Sequence, residues 1–297
     1  MSERDGTFLS RLAGIVPTRW RRKRPVVPVV RLAGTIGMGA PLRPGLTLES
    51  VNPALERAFK VKGAAAVAIL VNSPGGSPVQ SNLIFNRIRA LAEKHDRKVF
   101  VFAEDVAASG GYFIALAGDE IYADPSSIVG SIGVISASFG FVKAIDKLGV
   151  ERRVHTSGES KSTLDPFQPE KPEDVARLKS VQEDVHETFK AAVAARRGAR
   201  LKADGGDLFT GAFWSGVKAV DLGLIDGLGD MRQVIEAKFG DKVVFRPVGR
   251  ERGLLRRLSL PRMGGRLAGF DMDGGGSIAE DAIAALETRA LWSRFGL

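Results

Sequence analysis

The chain has 297 residues, 44% of them hydrophobic, enough to fill a sizeable core. It has no cysteine, which excludes disulfides, thiolate zinc sites, iron–sulfur clusters and cysteine nucleophiles. The formal charge of +9 sits at the two ends, +5 in residues 1–24 and +6 in residues 246–270, so the central body offers no basic stripe for nucleic acid.

Phe8, Leu12, Ile15 and Val16 recur at helical spacing ahead of R-W-R-R-K-R at 19–24. A short amphipathic helix followed by a basic patch suits an anionic membrane surface, or a helix packed on a partner beside a solvated charge run. The opening residues mix charges among broken apolar positions, unlike a signal peptide, and a protein of the cytoplasmic side is expected. The longest apolar run, residues 63–71, is far short of the roughly 20 residues that a membrane-spanning helix needs.

From Pro25 the pattern changes. V-V-P-V-V-R-L at 26–32, A-V-A-I-L-V at 66–71, K-V-F-V-F-A at 98–103 and E-I-Y-A at 120–123 read as strands. Helical patterns at 50–60, 78–94 and 111–116 alternate with them, which predicts an α/β domain whose strands are mostly parallel and buried. I-V-G-S-I-G-V-I at 128–135 reads as a further strand, residues 141–148 as a helix, and R-R-V-H-T at 152–156 as strand-like. A long helix is predicted from Pro172 to Gly198, its stripe of Val175, Leu178, Val181, Val185, Phe189 and Val193 expected to be ordinary core. A short helix is expected at 215–222. Beyond Phe245 an Arg- and Gly-rich linker leads through D-G-G-G-S at 273–277 to a last helix, 279–295. The expected division is a basic amphipathic segment (1–24), a main domain (25–245) and a basic linker with a C-terminal helix (246–297).

Four stretches could carry chemistry. N-S-P-G-G-S at 72–77 ends a strand in a turn built on Gly75 and Gly76, able to hold an anion or oxyanion on its amides, or simply to reverse the chain. In D-V-A-A-S-G-G-Y-F at 105–113, Ser109 stands where a helix starts and reads as an N-cap. Its small neighbours, Ala107, Ala108, Gly110 and Gly111, also suit close approach of a substrate to the hydroxyl, with the Gly110 amide beside it. A serine nucleophile needs a base. His95, His155 and His186 lie in charged or polar settings, so lysine is the alternative, given an amine brought down from about 10.4 by burial or neighbouring charge. Lys161 lies in T-S-G-E-S-K-S-T-L-D-P-F at 156–167, which by itself reads as a solvated loop.

N-S-P-G-G, A-A-S-G-G-Y-F, V-G-S-I-G-V-I and S-G-E-S-K-S-T-L-D-P-F, in this order, closely resemble the bacterial Ser-Lys peptidases of the signal peptide peptidase A (protease IV) family. The later T-G-A-F-W and A-V-D-L-G-L-I-D-G-L-G look like that family's signature too, and the similarity spans roughly residues 26–245. The resemblance implies Ser109 as nucleophile, Lys161 as general base, Ser131 as the serine that orients the lysine, and Gly75 or Gly76 with Gly110 as the oxyanion hole. It implies the α/β fold of stacked β-β-α units shared with Clp peptidase and the crotonases. The substrate would be an extended, apolar peptide such as a signal-peptide remnant, with no cofactor or metal. In half-length members the lysine completes the site of a neighbouring subunit, which implies a homo-oligomeric ring or dome. Typical members carry an N-terminal anchor; here the basic stretch implies instead a peripheral contact with the cytoplasmic face of the bacterial inner membrane. Glu159, two residues before Lys161, would oppose its deprotonation if the two shared a face. A crotonase-type acyl-CoA enzyme would use the glycine turn without Lys161, and a membrane-associated scaffold would need neither.

Overall fold

The computed structural model describes residues 24–37, 45–158, 160–202, 207–249 and 278–297. The apolar runs pair in parallel: β1 (Val26–Ala33), β2 (Val67–Ser73) and β3 (Val99–Ala108) align Val30 with Ile69 and Ile69 with Val101. The near-continuous burial of β2 follows from this position, because a central parallel strand is covered on both faces. Strand alternation then sorts the side chains. Val30, Leu32, Ile69, Val71, Val99 and Val101 join α1 (Leu48–Phe59) and α2 (Pro78–His95) in one core cluster. Val27, Val29, Ala68, Phe100 and Phe102 face the other way and pack against Ile235 of α7 (Met231–Phe239).

β3 is longer than its apolar run suggests and changes partner midway. Its first half pairs with β4 (Glu120–Ala123), its last three residues with β5 (Ile128–Gly130). Between them the register against β2 slips, Val71 opposite Ala103 but Ser73 opposite Ala107, which bends the strand at Glu104 and Asp105. Asn72 bridges the bend: its amide donates to Asp105 at 2.6 Å and its oxygen accepts from the Val106 amide at 3.3 Å. β6 (Phe213–Ser215) adds antiparallel to β5, β7 (Gly227–Leu228) adds to β4, and β8 (Val244–Pro247) pairs with β1 on the far edge. The helices α3 (Gly110–Ala115), α4 (Val142–Lys147), α5 (Pro172–Arg197), α6 (Gly216–Asp221) and α8 (Ile278–Ser293) complete the described architecture.

Three expectations need correction. The strand expected over 128–135 stops at Gly130, because Gly130 and then Ser131 take φ of 108° and 54° and turn the chain out of the ladder. R-R-V-H-T at 152–156 is exposed and forms no strand, since no described strand lies beside it to supply ladder bonds. The α5 stripe divides: Phe189 and Val193 are core, whereas Val181 is 55% exposed, because the first half of the helix runs past the edge of the packed layer. The basic segment 1–23, and the linker through 250–277 with its glycine joint, lie outside the described residues.

Candidate active site

The ends of β3 and β5 place two serines side by side. Ala108 and Gly130 are the last paired residues of these strands, so Ser109 and Ser131 are the next residue along each. Both sit at positive φ, 51° and 54°, a conformation that non-glycine residues rarely adopt. Main-chain bonds hold them there: the Ser109 amide donates to the Gly130 carbonyl at 2.7 Å, and the Ser131 amide to the Ala212 carbonyl at 2.7 Å. The T-G-A-F-W stretch thus frames Ser131, and Trp214 lies so close over Gly130 that a Cβ there would meet its ring at 2.7 Å.

Ser109 occupies the N-cap position of α3, yet its side chain makes no capping hydrogen bond, so the expected cap is absent and the hydroxyl has no partner among the described residues. Its small neighbours serve packing within the chain rather than access. Ala107 and Ala108 are buried; a Cβ on Gly110 would lie 2.3 Å from Ser81 Oγ, and one on Gly111 2.4 Å from the Ser73 carbonyl. The glycine turn after β2 presses on the same point. At Gly75, φ 105°, an added Cβ would meet Ser109 Cβ at 2.8 Å; at Gly76, φ 142°, it would meet the Ile36 carbonyl at 2.1 Å. Ile36 pins this turn by donating to the Gly75 carbonyl and accepting from the Ser77 amide, both at 2.9 Å. The Gly75 amide donates to Ser73 Oγ at 3.2 Å, whereas those of Gly76 and Gly110 donate to nothing among the described residues.

α3 is anchored from below. The Tyr112 hydroxyl donates to the Leu224 carbonyl at 2.7 Å, and full burial pushes its ionisation upward. The Gly223–Asp226 stretch supplying that carbonyl also holds Arg197 from the end of α5. Arg197, 2% exposed, donates to the Gly223 carbonyl at 2.9 Å and to Asp226 at 2.7 Å, while Asp226 accepts from the Ile121 amide at 2.7 Å. Phe113 stands between Phe85 and Phe189, with ring centroids 5.5 and 5.0 Å away. One Gly-Leu-Ile-Asp segment therefore ties α3, α5 and β4 together.

Ser109, Gly76 and Gly110 line a cavity of about 540 Å³ with largely apolar walls, among them Ile36, Leu83, Phe113, Val134, Ile135 and Phe189. Lys161 does not line it. Its side chain is exposed on an arm, residues 134–168, and its ammonium contacts no group among the described residues; Glu159 lies outside them. The arm is closed on itself: the Phe141 amide donates to the Pro166 carbonyl at 2.6 Å, and Arg152 pairs with Asp165 at 2.9 Å and covers the Phe167 ring. Bonds from the Phe167 amide and from Arg152 hold the Asp165 carboxyl below its usual range. No histidine lines the cavity. His186 lies outside the lining, its Nε2 3.3 Å from the Ile132 carbonyl, a contact in which that nitrogen is the donor.

Residues 92–243, which hold the two serines, the arm and the Gly-Leu-Ile-Asp clamp, match the sequence pattern of peptidase family S49. The chain belongs to peptidase family S49. It is 30% identical over 218 residues to the chloroplastic serine protease SPPA of Arabidopsis thaliana (71% of this chain, 32% of that one), and 30% identical over 213 residues to protease 4 of Haemophilus influenzae (70% and 34%). It is also 53% identical over 295 residues to a Brucella abortus protein named Na(+)/H(+) antiporter NhaA, covering 96% of this chain but 39% of that protein. The transport name belongs to that longer protein; no helix among the residues described here is long and apolar enough to cross a membrane.

Proposed function

We propose that this S49 chain is a serine endopeptidase in which Ser109 is the nucleophile and Lys161 the general base. The observation that carries the reading is an uncapped serine hydroxyl, held in a strained turn, on the same cavity as the unpaired amides of Gly76 and Gly110. In the proposed cycle the lysine amine takes the Ser109 proton and Oγ attacks the substrate carbonyl carbon. The resulting oxyanion is stabilised by the amides of Gly76 and Gly110, with Gly75 shaping the turn. The C–N bond breaks, the leaving amine takes the proton from the ammonium, and water, deprotonated by the lysine, hydrolyses the acyl-serine. Ser131, whose hydroxyl has no partner among the described residues, would accept from the ammonium and orient it.

Lys161 is exposed and away from the Ser109 cavity in a single copy, so in this reading a second copy brings the two together and covers the lysine. The arm that carries it supports such a contact: Ile135 (66%), Phe139 (79%) and Leu148 (76%) are all exposed. We therefore read the active form as a ring or dome in which the arm of one copy delivers Lys161 to Ser109 of the next. The change of partner along β3 supports the stacked β-β-α architecture of Clp peptidase and the crotonases for residues 25–245. The apolar cavity walls suit extended hydrophobic peptides such as signal-peptide remnants, and the basic ends, 1–24 and 246–270, suit contact with an anionic membrane face.

Turnover of an apolar fluorogenic peptide tests the dyad. Ser109→Ala and Lys161→Ala should each lower it by on the order of a thousandfold or more with the fold intact, as members of one catalytic unit do. An unchanged rate for Lys161→Ala would contradict the Ser109–Lys161 dyad; no peptide turnover by the wild-type chain, with turnover of an acyl-CoA instead, would favour a crotonase-type reaction at the glycine turn.

A further inference from the structure

The peptidase reading leaves the C-terminal end of the chain without a task, yet that end forms one wall of the cavity that holds Ser109. Thr288 and Leu291 line it three residues apart on one face of α8, and Arg294, the first residue past the helix, lines it beside them. The wall is fixed in place by its neighbour Phe295, which is 7% exposed and packs with Val106, Ala108 and Ile128, and meets the Phe213 ring edge-on at a centroid distance of 5.2 Å. Ala108 is the residue immediately before Ser109, so the anchor of the wall lies one residue from the proposed nucleophile. Among the described residues that line the cavity, Arg294 is the one charged residue and none is acidic. Its guanidinium makes no ion pair with any described residue and lies 5.9 Å from the centroid of the Phe295 ring.

We propose that Arg294 is a specificity-determining residue that reads a carboxylate on the peptide bound in this cavity. An arginine keeps its charge under all ordinary conditions and pairs with a carboxylate through two parallel N–H donors. Arg294 is exposed at the edge of the cavity, and a peptide seated against the apolar walls would displace water from around such a pair and strengthen it relative to bulk solvent. The only carboxylates that an ordinary peptide offers are Asp and Glu side chains and its own C-terminus, so a preferred substrate combines apolar residues near the scissile bond with one of these. A basic side chain at the same position is repelled. The proposal takes its occupant, a peptide, from the peptidase reading.

The test is a binding measurement on the full chain carrying Ser109→Ala, so that peptides stay whole. The probes are N-terminally labelled apolar peptides of one sequence with a free C-terminal carboxylate, with a C-terminal amide, and amidated with one internal Asp or the matching Asn. Fluorescence anisotropy should give dissociation constants about fivefold or more lower for a carboxylate-bearing peptide than for its neutral counterpart, the scale of one charge-assisted contact. Whether the free terminus or the internal Asp gains identifies the source of the carboxylate. Adding Arg294→Gln should bring that ratio close to one, and Arg294→Lys should restore part of it, which a purely structural role for Arg294 would not produce. Equal binding of charged and neutral peptides to the chain with Arg294 intact, or a preference that survives Arg294→Gln, would overturn the proposal. An error in the choice of nucleophile would show separately, as cleavage of the probes by the Ser109→Ala protein.

Discussion

Ser109 is held at the cavity at a cost in backbone strain. A serine at φ 51° and ψ −123° costs about 1–3 kcal/mol, and the surrounding bonds over-determine it: the Gly130 carbonyl holds its amide, and Gly75 leaves no room on its other side. Glycine adopts such angles freely. Ser109→Gly should therefore raise the thermal unfolding midpoint while removing turnover, whereas Ser109→Ala should remove turnover with little change in the midpoint. A Ser109→Gly protein that melts at or below the wild-type temperature would show that the turn is unstrained. Ser131, at φ 54° and one ladder position across, is held by the Ala212 carbonyl in the same manner, so both serines are set by backbone rather than by side-chain bonds.

At the scale of elements, the site depends on how α3 is seated. Six residues make a helix too short to be stable alone, and all six are buried. Tyr112 ties it to Leu224, and Asp226 neutralises Arg197 at 2% exposure. Removing one partner of such a pair strands the other charge away from water. Asp226→Ala should destabilise the protein by about 3 kcal/mol, read from the urea midpoint. A loss below about 1 kcal/mol would mean that the Gly-Leu-Ile-Asp segment is not the clamp described here. The sequence made the central strands legible, because β1 to β4 are apolar runs between helix-type segments. It did not make β6 or β8 legible: F-W-S and V-F-R-P are three and four residues long, too short to show alternation, and they become strands only because β5 and β1 present open edges. Ser109 and Gly76 were visible in their glycine settings. The wall formed by Thr288, Leu291 and Arg294 was not, since nothing local links residue 294 to residue 109; only the tertiary fold brings Phe295 against Ala108.

For the whole molecule, the arm is the feature that a single copy leaves unexplained. Three large apolar side chains stand in solvent on the same arm as a lysine that does not line the Ser109 cavity, a combination expected of a surface that meets another copy. Leu148→Glu, at a residue that does not line the Ser109 cavity, should shift the protein toward monomers in sedimentation velocity and lower turnover in parallel, because it places a charge in the proposed contact. Wild-type protein that sediments as a monomer and still cleaves peptide would remove the need for that contact. The most direct test of the account mixes two inactive proteins, Ser109→Ala and Lys161→Ala, under conditions in which subunits exchange. If the arm of one copy completes the site of the next, mixed assemblies contain some sites with both Ser109 and Lys161 intact, and the mixture should recover a measurable fraction of wild-type turnover that neither protein shows alone. A mixture as inactive as its components, with exchange verified by labelled subunits, would contradict the shared Ser109–Lys161 site.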